Sequence, residues 1–541
     1  MADNVAAADA QRGILGWIER TGNRLPDPVF LFFGLIGVLI VISIIASLAG
    51  WAVTHPTEVD EATGAARVIA AESLLSPGNI QRLWVEMPTT FTHFHPLGYV
   101  LVVMLGAGVA ERAGLFGTAM RAGVKDAPKH LLTPIVALVG MVGNLAADAA
   151  YVVLIPLAGI IFHAAGRHPI AGIAAAFAGV SGGFSANLLP GQLDALLFGI
   201  TEASVETVFG GFTANIAGNW YFIFAMTFVF LPVIWFVTDR MIEPRLGTWN
   251  AAMAGGASPE QQGEVEDGDR PLTAGERQGL RWAGLATLFV IGLWLFFTLG
   301  PGTPLINENA TPEARLTPFY QSLVAGFFIL FLLAGWAYGK AAGTVKNHRD
   351  LVQMMSGSMA DLAYYLVLAF AAAHFVAMFA WSNLGLILAV NGADGLRASG
   401  LPAWALLGAI VVVTGLLNLF VGSASAKWAL LAPVMVPMLM LLGITPEMTT
   451  AAYRVGDGAT NIITPLMVYF PLILIFCQRW QKDFGLGSLA ATMLPYSIGL
   501  LLSGLALVIA WVALDLPLGP GAQVFMDPPT TVAPTAPTQA Q

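Results

Sequence analysis

GNLAADAAYVVLIP, residues 143–156, and LNLFVGSASAKWALLAP, residues 417–433, interrupt two long apolar stretches with glycine, proline, asparagine and single charges. The stretches that contain them, 130–200 and 402–478, are too long for one crossing, because a membrane-spanning helix needs roughly 20 apolar residues. Non-helical backbone at membrane depth is tolerated only inside protein or beside a water-filled cavity. We therefore expect each stretch to contain a re-entrant hairpin followed by a broken helix.

The two stretches present the same landmarks in the same order. Two prolines and the glycine between them have equal spacing in both: Pro156, Gly166 and Pro169 in the first, Pro433, Gly443 and Pro446 in the second. Asparagines recur at the hairpin returns and in the broken helices: Asn144 and Asn187 in the first stretch, Asn418 and Asn461 in the second. The pattern predicts an internal repeat, with hairpins over 130–165 and 402–443.

The composition indicates a membrane protein. Hydrophobic residues make up 57% of the chain and charged residues 11%, whereas a soluble protein carries about 25% charged residues. The single cysteine, Cys477, excludes an internal disulfide, and the formal net charge of -9 gives no reason to expect a nucleic-acid partner. The apolar runs 28–53, 217–238, 282–300, 317–339 and 485–514 are long enough for a crossing. The run 362–390 is long enough for a tilted or bent span, and a shorter span fits at 96–110.

The basic residues predict the topology. If the N-terminus is cytoplasmic and both hairpins enter and leave on one side, 18 of the 24 Lys and Arg residues fall in cytoplasmic segments, as the positive-inside rule requires. The hairpins then enter from opposite sides, the inverted symmetry of many secondary transporters. We predict an all-α integral membrane protein with about nine transmembrane helices and two re-entrant helical hairpins in an inverted repeat. Its broken helices lie at the substrate site.

Five regions follow from this topology. They are a cytoplasmic N-terminal segment (1–27), a first half (28–239), a polar cytoplasmic linker (240–280), a second half (281–515) and a disordered tail (516–541).

Ionisable residues within the bilayer are costly and are functional candidates. The candidates here are Asp148, Asp194, Lys427, Arg454 and Asp457. Arg454 and Asp457 are three residues apart, so they either neutralise each other on one helix face or act separately. In the second case Arg454 binds a substrate carboxylate and Asp457 takes a coupling cation. Lys427 either extends its charge to the membrane surface or is functional, and Trp428 either packs at the interface or stacks on an aromatic substrate.

Unwound backbone and asparagine side chains supply oxygen ligands for a cation. The candidate coupling-ion residues, for Na⁺ or a proton, are Asn144, Asp148, Asn187, Asn418, Asp457 and Asn461. We expect no cofactor and no metal other than this possible Na⁺. If a proton alone drives transport, Asp194 or Asp457 is the expected proton carrier.

Three further stretches carry a resemblance: GGFSANLLPGQLDALLFGIT (182–201), GSASAKWALLAPVMVPM (422–438) and YRVGDGATNIITPLMVYFPLI (453–473). At these residues the chain resembles the AbgT family of aminobenzoyl-glutamate transporters. The resemblance implies a homodimer in the bacterial inner membrane that transports p-aminobenzoyl-glutamate or exports sulfonamide-type antimetabolites. It also implies a substrate site that consists of Asp194, Ser425, Trp428, Pro446, Arg454 and Asp457.

Three alternatives remain at this point. The first is a sodium-coupled dicarboxylate symporter of the same fold. Its substrate is a small dicarboxylate without the aromatic ring of p-aminobenzoyl-glutamate. An integral-membrane enzyme is disfavoured, because the sequence has no DDxxD, HExxH or comparable motif. A passive channel is disfavoured because buried opposite charges and inverted hairpins suit a gated site.

Overall fold

The structure is a computed structural model of the chain. It describes residues 27–59, 66–125, 128–146, 149–206, 215–250, 253, 271–299, 302–309, 315–464, 467 and 469–528.

The first half is helical apart from two short strands. Its elements are α1 (Pro28–Leu48), β1 (Ala52–Val59), β2 (Ala66–Ala70), α2 (Pro77–Thr92), α3 (His95–Arg112), α4 (Leu115–Lys125), a 3₁₀ turn (Lys129–Leu131), α5 (Leu132–Gly143), a 3₁₀ turn (Asn144–Ala146), α6 (Ala149–Ala164), α7 (Pro169–Phe177), a π-helix (Ala178–Gly182), α8 (Gln192–Glu206), α9 (Trp220–Val237), a π-helix (Thr238–Ile242) and α10 (Glu243–Leu246).

The second half is helical in the residues that the structure describes. Its elements are α11 (Ala274–Phe296), α12 (Thr317–Gln321), α13 (Leu323–Ala342), α14 (His348–Asp361), α15 (Ala363–Trp381), α16 (Leu384–Ser399), α17 (Ala403–Asn418), α18 (Ala424–Met440), α19 (Pro446–Thr460), a 3₁₀ turn (Asn461–Ile463), α20 (Phe470–Trp480) and α21 (Leu486–Leu514).

Seven helical segments within the described residues are long and apolar enough to cross a membrane. They are Val29–Leu48, Pro77–Arg112, Trp220–Leu246, Ala274–Phe296, Leu323–Ala342, Ala363–Trp381 and Leu486–Leu514. Each overlaps one of the seven apolar runs in the sequence, although Pro77–Arg112 extends well beyond the run 96–110. The prediction of nine crossings depends in addition on the two interrupted helices, α7–α8 and α19–α20, and stays a prediction.

The long helices expose apolar side chains and the interrupted helices are buried. On α11, for example, Leu288, Phe289 and Phe296 are exposed, although water would disfavour such a surface and lipid would not. Every residue of α7 and every residue of α19 is buried. The interrupted helices therefore form the centre of the protein, surrounded by helices with lipid-compatible faces.

Equivalent turns precede the two interrupted helices. Gly166 and Gly443 have φ values of +79° and +81°, the left-handed region in which glycine has no Cβ penalty. Pro169 and Pro446 then occupy the first turns of α7 and α19, where a missing N–H leaves no hydrogen bond unmade. The equal spacing in the sequence thus corresponds to equal local structure.

Each interrupted helix loses regular α-helical geometry where the sequence is rich in small and polar residues. The first changes into the π-helix Ala178–Gly182 and then into irregular backbone before Gln192. The second changes into the 3₁₀ turn Asn461–Ile463. The two breaks adjoin each other, because a Cβ added to Gly458 would lie 3.2 Å from the carbonyl oxygen of Gly182.

One local expectation is wrong. The run 362–390 is not one bent span: α15 ends at Trp381, and Asn383, with φ +58°, starts a separate helix. The predominantly helical fold is as expected, and it also contains β1 and β2, an antiparallel pair in which Val53 lies opposite Ile69. β-Branched residues favour such pairing.

The expectation of a disordered tail is wrong for residues 516–528. Leu518 and Val524 are fully buried. The tail pairs with the turn before α19, where the Thr445 N–H donates to the Val524 carbonyl at 3.1 Å and the Met526 N–H donates to the Gly443 carbonyl at 2.9 Å. Residues 529–541 lie outside the described residues. The ordered part of the tail therefore covers the N-terminal end of α19.

This packing predicts a difference between two truncations. A chain that ends after Asp515 should lose thermal stability in detergent, because burial of Leu518 and Val524 contributes roughly 1.5–3 kcal/mol each. A chain that ends after Pro528 should unfold at the temperature of the full chain. Equal unfolding temperatures for the two truncations would contradict a structural role for the tail.

Candidate functional site

A buried ion pair joins α8 to α19. The Arg454 guanidinium donates from Nη2 to Asp194 Oδ1 over 2.5 Å, and the exposed fractions of these side chains are 3% and 8%. Asp194 Oδ2 accepts a second hydrogen bond, 2.7 Å long, from the backbone N–H of Gly191. Because Asp194 lies in the first turn of α8, the helix dipole also favours its negative charge.

A second buried ion pair joins α18 to α19. The Lys427 ammonium donates to Asp457 Oδ1 and to Asn418 Oδ1. Lys427 and Asp457 are only 2% and 1% exposed. Lys427 therefore does not extend its charge to a membrane surface, and that alternative is wrong.

The neutralising pair between Arg454 and Asp457 is also wrong. Their spacing permits contact on one helix face, but Arg454 pairs with Asp194 on α8, and Asp457 pairs with Lys427 on α18. A buried charge is stable only with a partner and further hydrogen bonds. Each charge on α19 obtains these from a different neighbouring helix.

Asn418, at the end of α17, connects the second hairpin to the second break. Its Nδ2 donates to the Asp457 carbonyl at 2.8 Å, to Thr460 Oγ1 at 2.9 Å and to Asn461 Oδ1 at 2.8 Å. Carboxylate, amide and hydroxyl oxygens of this kind are the ligands that hard cations prefer. The donor set therefore fits Na⁺, although the Lys427 ammonium already binds two of these side chains.

Asparagines make corresponding contacts in the first half. Asn144 Nδ2 donates to the Gly183 carbonyl at 3.5 Å, and Asn187 Nδ2 donates to the Met141 carbonyl at 3.2 Å. Asn144 Oδ1 is buried without a hydrogen-bond partner. Asp148 lies outside the described residues, so the structure gives no contact for it.

The two breaks contact each other through the remaining asparagine. Asn461 Nδ2 donates to the carbonyl of Ser181 at 3.4 Å. All four predicted asparagines therefore lie where a hairpin or a helix break contacts a neighbouring element.

A polar cavity of about 20 Å³ lies beside the Asp194–Arg454 pair. Helix α8, residues 215–219 and α19 form its walls. Its lining includes Asp194, Leu197, Phe198, Thr201, Asn215, Ile216, Asn219, Glu447, Thr450 and Arg454. Arg454 Nε, on this wall, is buried and has no hydrogen-bond partner, so the guanidinium retains a free donor.

An apolar cavity of about 20 Å³ is lined by residues on the other side of α8. Ser425 lines it together with Phe32, Phe94, Leu196 and Ile200. Helix α8 contributes to both cavities, through Leu196 and Ile200 on the apolar side and through neighbouring residues on the polar side.

Trp428 connects the two sides of α8 and is fully buried. Its indole N–H donates to Thr201 Oγ1 at 2.9 Å, and its ring lies 4.5 Å from the Tyr453 ring, centroid to centroid. In this conformation, therefore, one face of the indole contacts protein rather than a cavity. Pro446 is buried at the start of α19, next to Glu447 on the polar cavity.

The sequence analysis did not select Asn215, Asn219, Thr201, Thr450 or Glu447. Glu447 carries a usable signal, because it is an ionisable residue within the apolar stretch 402–478 and meets the criterion that selected Asp457. The polar but uncharged residues carry no such signal. Their place on the cavity wall depends on how α8, residues 215–219 and α19 meet.

Buried ion pairs, interrupted helices at the centre and long apolar helices around them define a multi-pass membrane transporter. The sequence profile of the AbgT putative transporter family matches residues 13–526. The chain belongs to this family, and the resemblance drawn from the three stretches is confirmed.

Relatives of known identity agree with this assignment. The p-aminobenzoyl-glutamate transport protein of Escherichia coli K12 is 34% identical over 515 residues, 95% of this chain and 97% of that protein. The crystal structure of the YdaH transporter of Alcanivorax borkumensis has a TM-score of 0.83 and 41% identity, and covers 92% of this chain and 100% of that chain.

The MtrF structure from Neisseria gonorrhoeae, described as illuminating a class of antimetabolite efflux pumps, is similar as well. It has a TM-score of 0.86 and 40% identity, with 94% of this chain and 100% of that chain covered. The family and these relatives are transporters and not enzymes, which confirms the expectation that the chain is not an enzyme.

The observed pairs predict the outcome of a double-mutant cycle. Arg454→Ala and Asp194→Ala should each destabilise the protein by about 3–5 kcal/mol, because each leaves a buried charge unpaired. The double variant should recover part of that loss. In contrast, the losses of stability caused by Arg454→Ala and Asp457→Ala should add in the double variant, without recovery. Thermal unfolding in detergent measures all of these variants, and recovery in the second combination instead of the first would contradict the pairing.

Proposed function

We propose that the protein is an ion-gradient-coupled secondary transporter of p-aminobenzoyl-glutamate, an exporter of sulfonamide-type antimetabolites, or both. One observation carries the proposal: Arg454 is buried beside a polar cavity and keeps an unpartnered Nε donor. A planar guanidinium suits a carboxylate. The glutamate part of the substrate binds Arg454 in place of Asp194, which holds the guanidinium in this conformation.

The aromatic part of the substrate requires an apolar surface, and the cavity beside Ser425 supports that role. Each cavity of about 20 Å³ is far below the roughly 300 Å³ of a ligand pocket. The conformation described here is therefore closed, and binding requires α8 or α18 to move. In the open form, Trp428 stacks on the aromatic ring, Ser425 donates to a polar group of the substrate, and Pro446 sets the start of the helix that carries Arg454.

The coupling ion binds where hairpins and breaks meet. We assign this role to the oxygens of Asn418, Asp457 and Asn461 in the second half, with Asn144, Asn187 and Asp148 as their counterparts. The ammonium of Lys427 contacts both Asn418 and Asp457. A coupling cation at this position would take over the contacts that Lys427 makes in the closed form.

The names of the relatives support the substrate class. One relative is a p-aminobenzoyl-glutamate transport protein and another is described as an antimetabolite efflux pump. They do not favour the sodium-coupled dicarboxylate symporter. The inverted repeat, the cytoplasmic N-terminus and the location in the inner membrane belong to this proposal, with lipid around the long helices.

Exchange in proteoliposomes tests the substrate. Labelled p-aminobenzoyl-glutamate outside should exchange with unlabelled substrate inside, sulfonamides should compete, and succinate should not. Arg454→Lys should weaken binding about 10–100-fold, because a charged hydrogen bond of roughly 1.5–3 kcal/mol is lost. Sodium and proton gradients, imposed separately, identify the coupling ion.

Arg121→Lys is the matched control. Arg121 forms a partly buried pair, with Glu276 at 2.8 Å, but it lines neither of the two cavities. Equal loss of binding in both variants would contradict a specific role for Arg454, and competition by succinate would favour the dicarboxylate alternative.

We further propose a homodimer formed through apolar helices outside the hairpin regions. Helices α9 and α11 support this, because their exposed apolar faces contain none of the proposed substrate-site or coupling-ion residues. Cross-linking in native membranes, followed by mass determination in detergent, should give a particle of two protomers. A particle of one protomer after cross-linking would contradict it.

A further inference from the structure

Glu447 is the buried carboxyl of the site that lacks a cation. It is 8% exposed, at the second position of α19. Asp194 pairs with Arg454, and Asp457 pairs with Lys427. Among the described residues, no Lys or Arg forms an ion pair with Glu447. The carboxylate accepts backbone hydrogen bonds from Asn215 and from Glu447 itself, but no cation in the described part of the chain balances its charge. Because a buried carboxylate without a counter-ion is very unfavourable, a carboxyl group in this position is expected to bind a proton.

The polar cavity beside Glu447 contains two unsatisfied atoms of opposite character. Arg454 Nε is a donor without an acceptor, and Asn219 Oδ1 is an acceptor without a donor. Both residues line the cavity, and Asn219 is 8% exposed. A volume of about 20 Å³ is enough for one water molecule, which needs two to four polar partners. A water molecule between the two atoms would satisfy both.

A metal cation does not fit the same position. It would bring positive charge against the Arg454 guanidinium and would leave the Nε–H without an acceptor. A water molecule instead accepts from Nε–H and donates to Asn219 Oδ1. Its second hydrogen is free to reach a carboxylate, and the two carboxyl groups that line the cavity are Glu447 and Asp194.

We propose that Glu447 binds a coupling proton, at a site separate from the cation site at Asn418, and exchanges it with Asp194 through a water molecule held by Arg454 Nε and Asn219 Oδ1. This inference rests on the proposed function as an ion-coupled transporter. Asp194 and Arg454 are the other charged groups that line the cavity, and residues 215–219 contribute only Asn215, Ile216 and Asn219 to it.

The proton transfer balances without any further reactant. Glu447 gives its proton to the water, and the water gives a proton to the Asp194 carboxylate, so that Glu447 becomes charged and Asp194 neutral. A neutral Asp194 no longer holds Arg454 by charge. The guanidinium is then free for a substrate carboxylate. A substrate carboxylate can also displace the charged Asp194 without this transfer, so the proton is needed to drive transport along a pH gradient and not for exchange in the absence of a gradient.

The packing around Glu447 keeps the site closed in this conformation. Asn219 Nδ2 donates to the Glu447 carbonyl at 3.2 Å. Residues 215–219 are in turn held by the ordered tail, since Asn215 Nδ2 donates to the Pro520 carbonyl at 2.7 Å. The ordered tail and residues 215–219 therefore pack over Glu447 in this conformation.

The test compares uncoupled exchange with gradient-driven transport in proteoliposomes. Glu447→Gln keeps the shape of a protonated carboxyl but cannot release a proton. It should exchange p-aminobenzoyl-glutamate at a rate within twofold of the unmodified protein when no gradient is imposed. Accumulation driven by a pH gradient should fall at least tenfold. Asn219→Leu removes the acceptor of the water's hydrogen bond. This variant should likewise retain exchange and lose gradient-driven accumulation.

Glu276→Gln is the matched control. Glu276 is also 8% exposed, but it pairs with Arg121 and does not line the cavity. Its variant should retain both exchange and gradient-driven accumulation. A second measurement follows proton release on substrate addition in weakly buffered detergent, with a pH indicator. About one proton per protomer should be taken up by the unmodified protein, because Glu447 regains from solvent the proton that it gave to Asp194, and none by Glu447→Gln.

Each outcome has a distinct meaning. If the unmodified protein does not exchange p-aminobenzoyl-glutamate, the proposed substrate is wrong. If it exchanges substrate but ignores a pH gradient, only the proton site is wrong. Gradient-driven accumulation by Glu447→Gln at the level of the unmodified protein overturns the inference, and so does loss of exchange in that variant while it stays folded.

Discussion

Charges on a buried helix require partners, and this requirement organises the centre of the protein. Helix α19 is buried along its entire length and carries both Arg454 and Asp457. In a medium of low dielectric constant an unpaired charge costs several kcal/mol. Asp194 on α8 and Lys427 on α18 supply the opposite charges. The same contacts that make α19 stable therefore fix the positions of α8 and α18 against it.

Under the proposed function, the pairs also provide a way for the site to change state. A substrate carboxylate that binds Arg454 would take the place of Asp194, and a cation near Asn418 would take the place of Lys427. In both cases a group of the protein itself already compensates the buried charge before the ligand binds. Exchange of one partner for another keeps the buried charge compensated, and it releases one helix from α19 each time.

The breaks in the helices contribute backbone polar groups to the same site. Where α7 and α19 lose regular geometry, carbonyl groups such as that of Ser181 become available and accept from asparagine side chains. This is possible only because both helices are surrounded by protein. The long outer helices, with apolar faces toward lipid, supply that surrounding.

The sequence by itself determined the class of protein, the seven long apolar helices and the positions of the two breaks. These depend on run length, on charge content and on the local preferences of glycine and proline, all of which are readable along the chain. It also identified Asp194, Lys427, Arg454 and Asp457, because any ionisable residue in an apolar stretch is conspicuous. Only the tertiary structure decided their partners, since Arg454 and Asp194 are 260 positions apart. It likewise decided that Trp428 is buried against Tyr453, that residues 516–528 are ordered, and that Glu447 and Asn219 share one cavity, because these depend on which helix faces meet.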